Sequence, residues 1–155
     1  MGKEKACFNK ILKMKFMGIK ILLLSMLLYG CSTGPQPVLL GKENCEQCKM
    51  TIMENKFVTE LVTKKSKLFK FDDVQCLLNF VQADKIKKDE IKNIYLMDYE
   101  APGNFISASN AFFIKSENLK SPMGGNIAAF KTEAAATKYV SNNPGQKINW
   151  NQLLP

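Results

Sequence analysis

Two stretches of this chain carry the same signature 59 positions apart, and that pairing limits the fold more than any other feature. Phe71 closes a strand-like run and leads into a helical pattern bearing Phe80-Val81; Phe130 closes another and leads into a pattern bearing Tyr139-Val140. Asp72 or Asp73 stands where the first helix starts, and Thr132 where the second does. Such side chains accept hydrogen bonds from the free amides of a first turn. Val74, Leu77, Leu78 and Val81 recur at helical spacing, flanked by Cys76 and Phe80. Upstream, residues 56–63 are rich in β-branched and aromatic side chains and read as a strand. Residues 64–67 make a turn, and 68–71 the return strand. Residues 91–97 read as a further strand, 110–115 as a strand of the buried type, and 127–130 as another. Pro144-Gly145 ends the second helix and residues 148–154 close the chain. Strands followed by a helix, twice, predict an α+β fold of two related units sharing one core.

The first thirty residues read as an export signal. Six lysines precede an apolar run from Ile21 to Tyr29, broken only by Ser25. A spanning helix needs about 20 apolar residues, so the run fits the apolar part of a signal peptide. Met14 and Met17 would each give a more compact signal as start residues. The run stops at Leu28-Tyr29-Gly30-Cys31. This resembles the lipobox of bacterial lipoproteins, in which the Cys is acylated and becomes the new N-terminus. The alternative is an ordinary cleaved signal with an incidental Cys. Residues 31–38 then form a lipidated tether, and 39–155 the globular domain. The chain carries +8 in all. Residues 1–30 hold six Lys and one Glu, so the remainder holds 16 Lys against 13 acidic residues, a net +3. The basic balance therefore belongs mostly to the signal and gives no ground for a nucleic-acid partner. Lys64, Lys65, Lys67 and Lys70 read as a solvated strand edge.

Cys45-Glu46-Gln47-Cys48-Lys49-Met50 concentrates two thiols and a thioether in a chain without histidine. A metal site here would be built from sulfur, helped by a carboxylate or a backbone oxygen. Thiolate and thioether donors select soft, monovalent copper. The same C-x-x-C spacing also serves half of a zinc site, a redox dithiol or a structural disulfide. Cys76 lies in the first turn of the first helix. Free amides and the helix dipole would there favour a thiolate, although a small buried core residue is the ordinary use of a free Cys. Met123 sits in the loop Ser121-Pro122-Met123-Gly124-Gly125, where it is either a core plug or a ligand.

The lipobox at Cys31, the run Cys45-x-x-Cys48-x-Met50, Phe71-Asp72-Asp73 with Cys76, and Ser121-Pro122-Met123-Gly124-Gly125 with Ala129-Phe130 together resemble the NosL family. These are copper-binding lipoproteins that accompany nitrous-oxide reductase. The resemblance implies a duplicated ββαβ unit, similar to that of organomercury lyase. It implies a lipoprotein held on a membrane through Cys31 and facing the periplasm. It also implies delivery of copper(I) to a receiving enzyme, nitrous-oxide reductase, for assembly of its copper-sulfide centre. The positions it carries over as ligands are Cys45, Cys48, Met50 and Met123, with Cys76 as a further candidate. Lys49 stands where the family pattern has a small Gly, and an imidazole ligand is not available.

No Ser/His/Asp or Cys/His arrangement and no phosphate-cradling glycine loop is present in the sequence, so the expectation is a metallochaperone and not an enzyme. The rival readings are an exported thiol–disulfide protein using Cys45 and Cys48, a lipoprotein in which the pair is a structural staple, and, on the fold analogy alone, an organometal-cleaving enzyme.

Overall fold

A computed structural model describes residues 34–154. The expected export segment 1–30 and the expected lipidation site Cys31 lie outside the described residues. Among the described residues, seven strands and three α-helices follow one another as β1 (Thr59–Thr63), β2 (Leu68–Phe71), α1 (Val74–Gln82), β3 (Ile91–Met97), β4 (Phe105–Ser107), β5 (Phe112–Lys115), β6 (Ile127–Phe130), α2 (Glu133–Asn142), β7 (Gln146–Ile148) and α3 (Trp150–Leu153). They build two antiparallel sheets, ordered β2-β1-β3-β4 and β6-β5-β7. In each sheet the first strand of the unit is central, flanked by the second and third, with a helix between those two. The expected pair of ββαβ units is thus present, and β4 is an addition to the first.

The positions 59 apart are equivalent in space. Asp73 caps α1 through the amide of Gln75, and Thr132 caps α2 through that of Ala135. Phe71 meets Phe80 edge-on at 5.3 Å, and Phe130 meets Tyr139 at 5.5 Å. In both units the aromatic ring ending the second strand therefore packs on the helix that follows. Such ring pairs add about 0.5–1.5 kcal/mol beyond the area they bury. The helical stripe is buried as its spacing predicts, with Val74, Cys76, Leu77, Leu78, Phe80 and Val81 all inside.

Both units enter the main core. Leu61, Phe71, Leu77 and Leu96 of the first meet Phe113, Ile127 and Ala129 of the second. The other faces of β5 and β6 send Ile114, Ala128 and Phe130 into a smaller cluster with Ala136 of α2. Side chains alternate across a strand, so β6 is buried on both faces.

Several expectations need correction. The first strand begins at Thr59 and not at residue 56, and the fifth at Phe112 after a 3₁₀ turn over Ala108–Asn110. The latter is buried only at its centre; Phe112 is exposed. The short strand β4 and the split of the closing segment into β7 and α3 carried no clear pattern. Three- and four-residue elements take their shape from their neighbours. Lys70 does not lie on a solvated edge. It is mostly buried, and its ammonium reaches Glu43 at 2.8 Å and Glu60 at 3.8 Å. The end of the expected tether is also engaged. The Gln36 amide donates to Glu60 Oε2 (2.9 Å), and Lys70 Nζ donates to the Pro37 carbonyl (3.0 Å).

Candidate metal centre

The loop before β1 is folded back on itself like a small hairpin. Asn44 and Thr51 pair as an antiparallel bridge, and Ile52 N–H donates to the Glu43 carbonyl. Inside this closure the Cys45 amide donates to the Met50 carbonyl (2.8 Å) and the Lys49 amide to that of Cys45 (3.0 Å). So tight a turn needs one residue in the left-handed region, and Lys49 supplies it with φ +65°. Gly, expected at this position from the resemblance, adopts that conformation without steric cost. The Glu46 amide donates to the Lys70 carbonyl (2.8 Å), which ties the loop to β2. Just past β2 the chain turns into α1, bringing Asp72 and Cys76 to the same place.

The result is one cluster. Single ligand atoms of Cys45, Cys48, Asp72 and Cys76 all lie within 4.8 Å of one another. All three cysteines carry free thiols. Cys45, Asp72 and Cys76 are buried, while Cys48 is only partly so and forms the solvent side of the group. The Cys48 thiol donates to Asp72 Oδ2 at 3.5 Å. Asp72 Oδ1 is buried and has no hydrogen-bond partner among the described residues. An unsatisfied buried carboxylate oxygen costs several kcal/mol unless a cation or donor meets it. The donor set fits a thiophilic cation, which would satisfy this oxygen and the three sulfurs together.

The electrostatics agree. Burial pushes the Cys45 thiol up to about 11. Burial pushes Cys76 up as well, reinforced by the neighbouring Asp72 and Cys45. The expectation that the helix start would favour a Cys76 thiolate is overturned, because desolvation and two acidic neighbours outweigh the dipole. A redox dithiol needs a nucleophilic thiol whose pKa is held low, whereas Cys45 is held high. A bound cation reverses that balance, and its binding displaces thiol protons.

The thioethers are placed differently. Met50 is 56% and Met123 37% exposed, so Met123 is not a core plug. Met50 closes the cysteine loop through its carbonyl. Met123 is held through its amide, which donates to Asp73 Oδ2 (3.0 Å). The same carboxylate accepts from the Ser121 hydroxyl and, through Oδ1, from the Gln75 amide. Asp73, wholly buried, thus pins the Met123 loop onto the start of α1 beside the cluster. Gly125 permits this approach, since a Cβ there would lie 2.9 Å from Asp73 Oδ1 and from Gln75 Cβ. Asp72 was not singled out as a ligand in the sequence. The available signal was the doubled Asp72-Asp73, since a helix start needs only one cap. A surface cavity of about 700 Å³ beside Phe112 and Trp150 shares no residue with the cluster.

Comparison with known proteins agrees with this architecture. The crystal structure of the copper chaperone NosL from Shewanella denitrificans is similar, with a TM-score of 0.64 and 24% identity. The match covers 76% of this chain and 94% of that one. No curated protein matches the chain. The NosL family model matches residues 37–155. On that match, spanning the whole globular part, the chain belongs to the NosL family.

Proposed function

We propose that this chain is an exported, lipid-anchored copper(I) carrier that hands its ion to a partner enzyme, and that it is not itself a catalyst. The observation that carries the reading is the convergence of three free thiols with the buried Asp72 carboxylate, whose Oδ1 has no hydrogen-bond partner among the described residues. Sulfur-rich sites without imidazole favour copper(I) over harder ions. Family membership and the similarity to a copper chaperone support the same ion. In this proposal Cys45 and Cys48 grip the ion, Cys76 and Asp72 complete its inner side, and Met50 and Met123 offer thioethers from the two loops at the rim. The partly exposed Cys48 is where an acceptor's thiolate or thioether could begin ligand exchange. The receiving enzyme is nitrous-oxide reductase, the site being its copper-sulfide centre. The chain faces the periplasm, anchored through an acylated Cys31.

A second reading has one observation in its favour. Three thiolates and a carboxylate make four ligands, the number a structural zinc site takes. Competition under anaerobic, reducing conditions separates the two. A copper carrier gives up zinc to copper(I) and keeps copper against moderate copper(I) chelators. Retention of zinc in the presence of excess copper(I) would overturn the carrier reading and leave a structural zinc site.

A further inference from the structure

Four of the large apolar side chains left exposed among the described residues fall in one loop. They are Leu39 (57%), Leu40 (43%), Met50 (56%) and Met53 (73%). The loop holds them outward. The Leu39 amide donates to Glu43 Oε2 (2.7 Å), and the Leu39 carbonyl accepts from the amides of Lys42 and Glu43 (3.1 Å each). The Gly41 amide donates to the Ile52 carbonyl (2.9 Å), setting the Leu39-Leu40 turn beside Met53. Two adjacent leucines turned to solvent at a tight turn, next to an exposed Met, mark a surface that something covers. Lys42 is exposed in the same turn.

The chain leading into this turn identifies the cover. Gln36 and Pro37 are fixed to Glu60 and Lys70 by the hydrogen bonds described above. From Cys31 to Gln36, five residue steps reach at most about 18 Å even when fully extended. A folded domain of this size is about twice that across, given a radius of gyration near 13 Å for 100 residues. An acyl anchor at Cys31 therefore keeps the face from which the tether leaves against the bilayer. Leu39 lies only three residues beyond the pinned Gln36.

We propose that the Leu39-Leu40 turn, with Met53 beside it, is a membrane-contacting face seated at the headgroup–acyl boundary of the bilayer that holds the anchor. The inference rests on the proposed acylation of Cys31. Its consequence concerns the cargo, because Cys45 and Cys48 belong to the same loop. Copper is then presented at the membrane surface, and the acceptor is one whose receiving site lies close to that surface.

The test uses the full chain, expressed with its own signal, processed, and checked by mass spectrometry for the acyl mass at Cys31. Leu39→Trp and Phe112→Trp variants are reconstituted into vesicles of phosphatidylethanolamine and phosphatidylglycerol with brominated acyl chains. Trp150 is the common background. In the Leu39→Trp protein the expected result is a blue-shifted emission from the introduced indole, with most of its intensity quenched. The Phe112→Trp protein should quench no more than wild type. Trp favours this interfacial depth. Acylated Leu39→Trp protein whose introduced indole stays unquenched would overturn the membrane face, leave the anchor intact, and assign the patch to a protein partner. Equal quenching in both variants would overturn it in favour of general adsorption. Absence of the acyl mass would remove the anchor and this face with it.

Discussion

At the scale of single residues, the site depends on one strained backbone position and one spare oxygen. Lys49 holds φ +65° so that the loop can close around Cys45. The left-handed region costs a non-glycine residue about 1–2 kcal/mol, partly offset in a Gly variant by about 0.5–1 kcal/mol of lost chain entropy. Its exposed ion pair with Glu46 contributes little. Lys49→Gly should therefore stabilise the protein by roughly 0.5–1 kcal/mol, read as a higher urea midpoint. An unchanged or lower midpoint would show that the turn carries no strain. Met50 is exposed, so Met50→Leu should leave stability within about 0.5 kcal/mol of wild type. If its sulfur is a ligand, the same variant weakens copper(I) affinity by at least about tenfold, equivalent to ~1.4 kcal/mol. Full affinity in that variant would remove Met50 from the ligand set. The cysteines were legible because thiol spacing is written in the sequence. Asp72 was not, because an Asp before a helix reads as a cap until the structure shows that Asp73 does the capping.

At the scale of elements, the start of α1 is the joint between cluster and Met123 loop. Asp73→Ala removes a helix cap, worth about 1 kcal/mol. It also strips partners from the buried Ser121 hydroxyl and the Met123 amide, at about 1–3 kcal/mol. The expected loss is roughly 2–4 kcal/mol by denaturant unfolding; a loss below about 1 kcal/mol would mean the loop is held by other contacts. Strand β1 carries a second polar device. Glu60 is buried near its start, where its neighbours are Lys70 on β2, Gln36 on the tether and Glu43 in the cysteine loop. Burial pushes its carboxyl up to about 7 from 4.5. A carboxyl raised on folding favours the protonated form in the folded state. Its contribution is present in full below the unfolded value and lost as pH rises through about 7. Stability should thus fall by roughly 3 kcal/mol between pH 4.5 and pH 8 on account of this group. Glu60→Gln should flatten that slope; an equal slope in the variant would place the pH dependence elsewhere. Alternation could not reveal this position. All five residues of β1 are buried, so no wet face marks Glu60 off from its neighbours.

At the scale of the whole molecule, duplication was the legible part. Phe71 with Phe80 and Phe130 with Tyr139, capped by Asp73 and Thr132, marked equivalent places before any strand order was known. The order β2-β1-β3 repeated as β6-β5-β7 is set by long-range pairing that local patterns do not encode. For the same reason the meeting of residues 45–48 with 72–76 emerged only from the fold. On the proposed function the protein is a reduced, sulfur-based copper carrier. This is tested most directly by counting copper and free thiols on one sample, before and after oxidation. The periplasm is kept oxidising, and a Cys45–Cys48 disulfide would remove both gripping thiolates. The account predicts one copper(I) per reduced chain, with Cys45 and Cys48 protected from alkylation. Copper should be released on oxidation and recovered with reductant. Copper held equally by oxidised and reduced protein, or a permanent disulfide in a chain that binds none, would contradict it.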